Sequence, residues 1–219
     1  RLILLFWNFP KTSKIVFEAF VEFRHPQKCF LRLPESSDII KLKKQMKTAS
    51  NQLLVIFGAS GDLTGRKLLP SLYELHIRGL LPERFCILGA ARTEYTDDEY
   101  RAFEKVHIRE SLKNKEVDDV ELDSFLRRVF YLAFDSTNSA GYHKLKDRIH
   151  QLRQEQQLPD KIIYYLATPP VMYELIPTCL KENGMNVAGS EDGWRRVIVE
   201  KPFGTSLESA ERLNKHLIH

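Results

Sequence analysis

Cysteine is scarce in this chain, and the few that occur stand apart. Cys29, Cys86 and Cys179 form no Cys-x-x-Cys pair and have no histidine cluster beside them. An odd number at wide spacing excludes a disulfide framework and argues against a zinc site. Cys86 and Cys179 fall inside apolar runs and read as small buried thiols of a reducing cytosol. Long apolar runs are missing as well. The opening run from Leu2 to Trp7 is far short of the roughly 18 residues that a spanning helix needs. A one-sided charge surplus is missing from most of the chain. Residues 1–45 hold nine Lys/Arg and four Asp/Glu, so the remainder, with 24 basic and 25 acidic residues, is close to neutral. That body lacks the basic face that binding to a nucleic-acid backbone requires. Glycine and proline, at 10 each in 219 residues, are too few for a collagen-like or low-complexity chain. What remains is one ordinary domain with an extension.

The extension and the body read differently. In residues 1–45 the apolar clumps Leu2–Trp7 and Val16–Phe23 are broken by Pro10, Pro26 and Pro34. Asn8, Pro10 and Lys11 cut the first clump short, and no small-residue cleavage site follows, so a signal peptide is disfavoured. Lys41, Lys43 and Lys44 read as a solvated face rather than a membrane or RNA contact. At Met46 the composition changes, and Met46 is expected to be the natural start, with 1–45 an upstream extension and 46–219 the domain.

From Leu53 onward, strand and helix patterns alternate. Leu53–Phe57, Phe85–Gly89, Val129–Ala133, Ile162–Ala167 and Val197–Val199 are short apolar runs of the kind buried on both sheet faces. Between them, Leu68, Leu72 and Leu75 recur at helical spacing up to Gly79, with Pro70 near the start where proline costs least. Thr96 with Glu99 forms a capping-box signature opening the next helix. Further helical patterns cover about 118–128, Leu145 to Leu152, about 171–183 and about 206–218. Strict alternation implies parallel pairing and an α/β, doubly wound parallel sheet.

The strongest chemical signal follows the first strand: Gly58-Ala59-Ser60-Gly61-Asp62-Leu63-Thr64-Gly65-Arg66-Lys67. Glycine permits a tight turn and lets backbone N–H groups approach a diphosphate, and the helix that follows aims its N-terminus at the same place. The spacing is G-x-x-G-x-x-T, with Thr64 where a third glycine would let helix and strand pack closely. A nucleoside-triphosphate P-loop does not fit, because Ser60 stands five before Gly65 and Arg66-Lys67 follow it. At the end of the second strand, where an acid would accept the ribose hydroxyls of NAD, stands Arg92. A guanidinium fork suits a 2′-phosphate, which favours NADP, while Glu94 nearby leaves NAD open.

Three segments together resemble the glucose-6-phosphate dehydrogenase family: Gly58 to Thr64, Tyr165-Leu166-Ala167-Thr168-Pro169-Pro170, and Glu200-Lys201-Pro202-Phe203-Gly204. The likeness spans roughly residues 50–219 in order and spacing. It implies a Rossmann-like domain that binds NADP through Gly58, Ala59, Ser60, Gly61, Asp62 and Leu63, with Arg92 on the 2′-phosphate and Asp135-Ser136 bordering the adenosine. It implies that Lys201 contacts both the cofactor and glucose 6-phosphate, aimed by a cis bond before Pro202. It implies oxidation of glucose 6-phosphate to 6-phosphoglucono-1,5-lactone in the cytoplasm by a homo-oligomer. The family's general-base histidine lies in an Arg-Ile-Asp-His-Tyr motif, expected beyond His219 together with a larger α+β domain. None of His25, His76, His107, His143, His150, His216 and His219 sits in such a motif, and all read as surface or structural residues. The 219-residue chain is therefore expected to be a cofactor-binding fragment that holds NADP weakly and turns nothing over, since a positioned base is worth about 10²–10⁴-fold.

Two rival readings compete. A short-chain reductase needs Tyr-x-x-x-Lys, and Tyr142 and Lys146 fit that spacing. They follow the third strand, too early for that fold, and read better as exposed residues on an amphipathic helix. A non-catalytic NADP-binding regulatory module is the other, since sheets of this class host many functions. Lys201 argues against it, because a sensor has no need of a lysine and rigid bend on the substrate side.

Overall fold

In the computed structural model, described residues are 49–113, 116–200, 208, 211 and 213. Five parallel strands form one sheet in the order β3-β2-β1-β4-β5, with β1 Gln52–Phe57, β2 Phe85–Ala91, β3 Val129–Ala133, β4 Lys161–Leu166 and β5 Trp194–Val199. β1 is central: Leu53 is level with Cys86 of β2 and Ile162 of β4. Every residue of β1 is buried, Gln52 included, and the apolar run Leu53–Phe57 is what a strand covered on both sides requires.

Alternate β1 side chains supply two cores. Leu54 and Ile56 face one layer with Ile87, Leu72, Phe125 and Ile108, which come from β2 and the helices α1 Leu69–Ile77, α2 Asp97–Ser111 and α3 Asp119–Leu126. Leu53, Val55 and Phe57 face the other, with Leu145, Leu152, Ile176 and Leu180 of helices α4 Tyr142–Glu155 and α5 Met172–Glu182. Each fully buried Leu or Ile contributes about 1.5–3 kcal/mol relative to exposure. Helices on both faces make the sheet doubly wound, as expected.

Local signals set the helix starts. Thr96 Oγ1 accepts from Glu99 N–H at 3.2 Å and the Glu99 carboxylate accepts from Thr96 N–H at 2.7 Å, the full capping box. Pro70 lies in the first turn of α1. Two strands run longer than their apolar text. β2 continues through Ala90 and Ala91, and β5 begins at Trp194 rather than Val197. The early part of β5 is amphipathic and half-buried: the Arg196 guanidinium lies 4.2 Å from the Trp194 ring centre, and Arg195 turns inward to Asp160. Cys86 and Cys179 are buried free thiols, and burial raises the Cys86 thiol to about 11.

Cys29, the proposed start at Met46 and the whole of 1–45 lie outside the described residues, as does the expected helix at 206–218 except for Glu208, Glu211 and Leu213. No helix among the described residues is long and apolar enough to cross a membrane, and none of their His, Cys, Asp and Glu side chains cluster to hold a metal.

Candidate functional site

At the carboxyl ends of β1 and β4 the chain departs in opposite directions along the sheet, to β2 on one side and to β5 on the other. Ligands of open α/β sheets bind in the crevice at such a reversal. Gly58 sits at its edge with φ +80°, and a Cβ there would meet the Ala167 carbonyl oxygen at 2.3 Å. No other residue fits, because both the backbone conformation and the neighbouring strand exclude a side chain.

The loop then folds on itself. Gly58 N–H donates to Ala90 O at 2.9 Å, Gly61 N–H to Gly58 O at 3.0 Å and Thr64 N–H to Gly61 O at 3.1 Å. Ala59 is fully buried, and its carbonyl accepts from the Tyr100 hydroxyl at 2.9 Å. Gly61 and Asp62 are exposed, Ser60 and Leu63 half-buried. The N–H groups of Ser60, Asp62 and Leu63 have no partner among the described residues, which leaves three donors at the start of a helix. Asp62 pairs with Arg66 at 2.5 Å, both well exposed.

The helical path begins with a π turn, Thr64–Leu68, closed by Leu69 N–H on Thr64 O. Such turns are frequent at functional sites. Thr64 does not provide the close approach expected of a third glycine. It is fully buried, and its hydroxyl donates back to Gly58 O at 3.4 Å. Close packing falls one residue later and against a helix: a Cβ on Gly65 would lie 3.1 Å from His107 Cγ and 3.3 Å from Glu104 Oε2 of α2.

Arg92 is the first residue past β2 and is exposed. Across the β2–β3 edge, exposed Asp135 accepts from Thr137 N–H at 3.0 Å and from its hydroxyl at 2.8 Å. Those bonds, with the Arg92 charge nearby, hold its carboxyl below the usual range. Ser136 is half-buried, and its carbonyl accepts from the Tyr142 hydroxyl at 3.0 Å. The sheet thus brings Gly58–Leu63, Arg92, Asp135 and Ser136 to one end. Lys201 and Pro202 lie outside the described residues. Glu200, just before them, bonds to the Tyr165 hydroxyl, and burial raises its carboxyl.

Tyr142 corrects an expectation. It is fully buried, not exposed, with its ring edge-on to Phe134 at 4.9 Å, while Lys146 Nζ donates to Asn183 O at 3.1 Å on the helix surface. Fully buried, with its hydroxyl donating to Ser136 O, Tyr142 is not presented to a substrate, and the reductase reading falls. Of the histidines, His76 is mostly buried against Phe125, and His107 bonds Phe103 O at 3.0 Å, both as structural groups.

Three polar groups at this end were not singled out from the sequence. Thr168 Oγ1 is buried without a hydrogen-bond partner among the described residues, its methyl 3.2 Å from a Cβ on Gly58. Glu104 is fully buried behind Gly65, neither oxygen hydrogen-bonded, and burial raises its carboxyl to about 8. Tyr131 lies beneath the Arg92 turn. No signal in the sequence marks them, because a lone Thr, Glu or Tyr in a strand or helix carries no motif. A backbone cradle that excludes a Cβ, donors without partners and an unpaired hydroxyl at its rim all suit a diphosphate.

Comparison with known proteins agrees with that geometry. Residues 55–219 match the family model described as glucose-6-phosphate dehydrogenase, NAD binding domain. The chain is 45% identical over 168 residues to glucose-6-phosphate 1-dehydrogenase of Aggregatibacter actinomycetemcomitans, covering 76% of this chain and 33% of that one. It is 41% identical over 170 residues to the enzyme of Treponema pallidum, covering 78% and 33%. Among solved structures, a glucose-6-phosphate dehydrogenase in complex with its substrate glucose-6-phosphate aligns at TM-score 0.65 with 36% identity over 77% of this chain and 34% of that one. The Mycobacterium avium enzyme aligns at 0.64 with 32% identity. This chain spans about a third of the length of the curated relatives it matches. It belongs to the glucose-6-phosphate dehydrogenase family, as a chain carrying that family's NAD-binding domain.

Proposed function

We propose that the chain is the cofactor-binding part of a cytoplasmic, NADP-dependent glucose-6-phosphate dehydrogenase. The reaction is oxidation of the sugar's C1 hydroxyl to 6-phosphoglucono-1,5-lactone. One observation carries the choice of NADP: a guanidinium, not a carboxylate, follows β2 directly beside the glycine loop. When bound, the nicotinamide accepts the hydride and the protein supplies orientation and electrostatics.

On this reading the free N–H groups of Ser60, Asp62 and Leu63 hold the diphosphate, and Gly58 keeps the floor of the loop clear. Arg92 binds the 2′-phosphate, and Asp135-Ser136 border the adenosine. Lys201 contacts cofactor and sugar phosphate, a role that comes from the family likeness alone. The general base belongs to the family's Arg-Ile-Asp-His-Tyr motif, and homo-oligomerisation and the larger domain belong to the longer relatives. Residues 46–219 form the domain.

Fluorescence titration of this chain with NADP and NAD tests the reading. NADP is expected to bind more tightly. Arg92→Ala should weaken NADP about tenfold or more, the worth of a hydrogen bond to a charged group, while leaving NAD within about twofold. Equal loss for both dinucleotides, or none for NADP, contradicts it.

A further inference from the structure

Arg92 leaves the sheet between two carbonyls that turn toward a single hydroxyl. Tyr131 of β3 directs its phenol at Thr93 O, 2.8 Å away, and at Ala91 O, 3.2 Å away. These carbonyls flank Arg92 on either side. The one phenol proton is shared between them or alternates. Ala91 O also accepts from Phe134 N–H at 2.7 Å, which ties the same turn to the end of β3. Thr93 adds a third tie, because its hydroxyl donates to Ser60 Oγ at 3.0 Å and so joins the turn to the glycine loop.

Carbonyls in an exposed turn are ordinarily left to water, and the turn moves accordingly. Here a buried group holds them. Tyr131 is 4% exposed, with its ring centre 4.4 Å from that of Tyr100 and 5.6 Å from that of Tyr95. Its main-chain N–H is also engaged, donating to the Asp97 carboxylate at 2.7 Å. Burial raises the phenol to about 12, so it stays a donor. Fixing the carbonyl of residue 91 fixes the peptide plane entering Arg92, and fixing that of residue 93 fixes the plane that leaves Thr93, one residue further on. Between them the direction of the Arg92 Cα–Cβ bond has little freedom left.

We propose that Tyr131 is a positioning residue for recognition of the adenosine 2′-phosphate: it clamps the backbone around Arg92, so that the arginine side chain starts from a fixed point beside the glycine loop before ligand arrives. The inference rests on the NADP reading. It adds that selectivity depends on a hydroxyl one strand away that never touches the ligand. Preorganisation of this kind matters because ordering a long side chain at binding weakens affinity.

The test uses this chain with two probes, adenosine 2′,5′-bisphosphate and 5′-AMP, which differ only in the 2′-phosphate. Tyr131→Phe keeps the ring and its packing and removes the hydroxyl. Affinity for the bisphosphate should fall about three- to tenfold, the range of one neutral hydrogen bond, with 5′-AMP within about twofold and the unfolding midpoint little changed. The double variant Tyr131→Phe/Arg92→Ala should bind the bisphosphate no more weakly than Arg92→Ala alone, because the hydroxyl acts through the arginine. A merely structural tyrosine would weaken both probes together and add to Arg92→Ala, and either result overturns the proposal. If Arg92→Ala weakens the bisphosphate and Tyr131→Phe does not, the positioning role alone falls. If neither variant affects it, the 2′-phosphate reading falls with it.

Discussion

Two buried carboxyl groups sit at opposite ends of the same sheet and are treated in opposite ways. Asp160 precedes β4 at the amino end and is surrounded by donors: Arg195 Nη2 at 2.8 Å, Arg153 Nη1 at 2.7 Å, and the N–H groups of Gly189 at 2.6 Å and Ser190 at 3.2 Å. Burial alone would raise its carboxyl, but the Arg195 and Gly189 hydrogen bonds and the two positive charges outweigh that and hold it below the usual range. Glu104 stands at the carboxyl end behind the glycine loop. Neither oxygen has a well-formed hydrogen bond among the described residues, and its polar neighbours are the Tyr100 hydroxyl and His107 Nδ1, the latter at 3.9 Å. At the amino end the carboxylate is fully engaged, joining loops to strands, and only the Arg195 Nε beside it is left without a partner among the described residues. The other end carries polar groups without partners, as expected where a ligand is to enter. Satisfied buried charges hold a structure together only while every partner stays, whereas an unsatisfied one is tolerated where stability is given up for something else.

The largest effect should come from breaking the amino end. Asp160→Ala leaves Arg195, itself only 10% exposed at its side chain, without its counter-charge. It should cost about 3–5 kcal/mol by urea unfolding, with little change in dinucleotide affinity measured where the variant is still folded. A loss under about 1 kcal/mol would erase the contrast between the two ends.

Glu104 should behave in the reverse sense, and pH exposes it. Its carboxyl is raised from 4.5 to about 8 in the folded chain. Between those values the unfolded chain has released a proton that the folded chain keeps, so stability falls as pH rises through that window and levels off above it. Glu104→Gln should flatten that slope and, if the two proteins are close at pH 5, be more stable than the parent by about 4 kcal/mol at pH 9. A parallel pH profile for the two proteins would show that Glu104 finds a partner in solution. The depressed Asp160 carboxyl predicts the opposite trend: its stabilisation is present above the ordinary aspartate range and is lost as pH falls below it.

The smallest effect sharpens the comparison, because it lies at the carboxyl end but in a satisfied group. Thr96→Ala removes the capping box of α2 and should cost about 1 kcal/mol by thermal or urea unfolding, independent of pH between 6 and 9.

The sequence showed most of the fold because the decisive signals are local. β1 is legible in Leu53–Phe57 since a strand buried on both faces has no polar residue to interrupt it, and the capping box is written within four residues. The start of β5 was not legible. Trp194-Arg195-Arg196 is polar in composition, and only the distant Asp160 gives Arg195 a buried place. The glycine loop and Arg92 could be found because each has a fixed place relative to a strand end. Glu104 and Tyr131 could not. A glutamate on an amphipathic helix reads as solvated, and a tyrosine in an apolar strand reads as core. What distinguishes them is contact with segments far away in the chain, Gly65 for one and Ala91 and Thr93 for the other.

The wall of the glycine loop is Ala167, which arrives only after β4 has paired with β1. As a chain leaves the ribosome, β1, β2 and β3 can assemble first, with Gly58 held on the β2 side by Ala90 but open on the side where Ala167 will come to lie. Pairings so remote in the chain form slowly. The loop therefore takes its final shape only once the fourth strand is in place, and its geometry reports on the assembled sheet rather than on the first three strands.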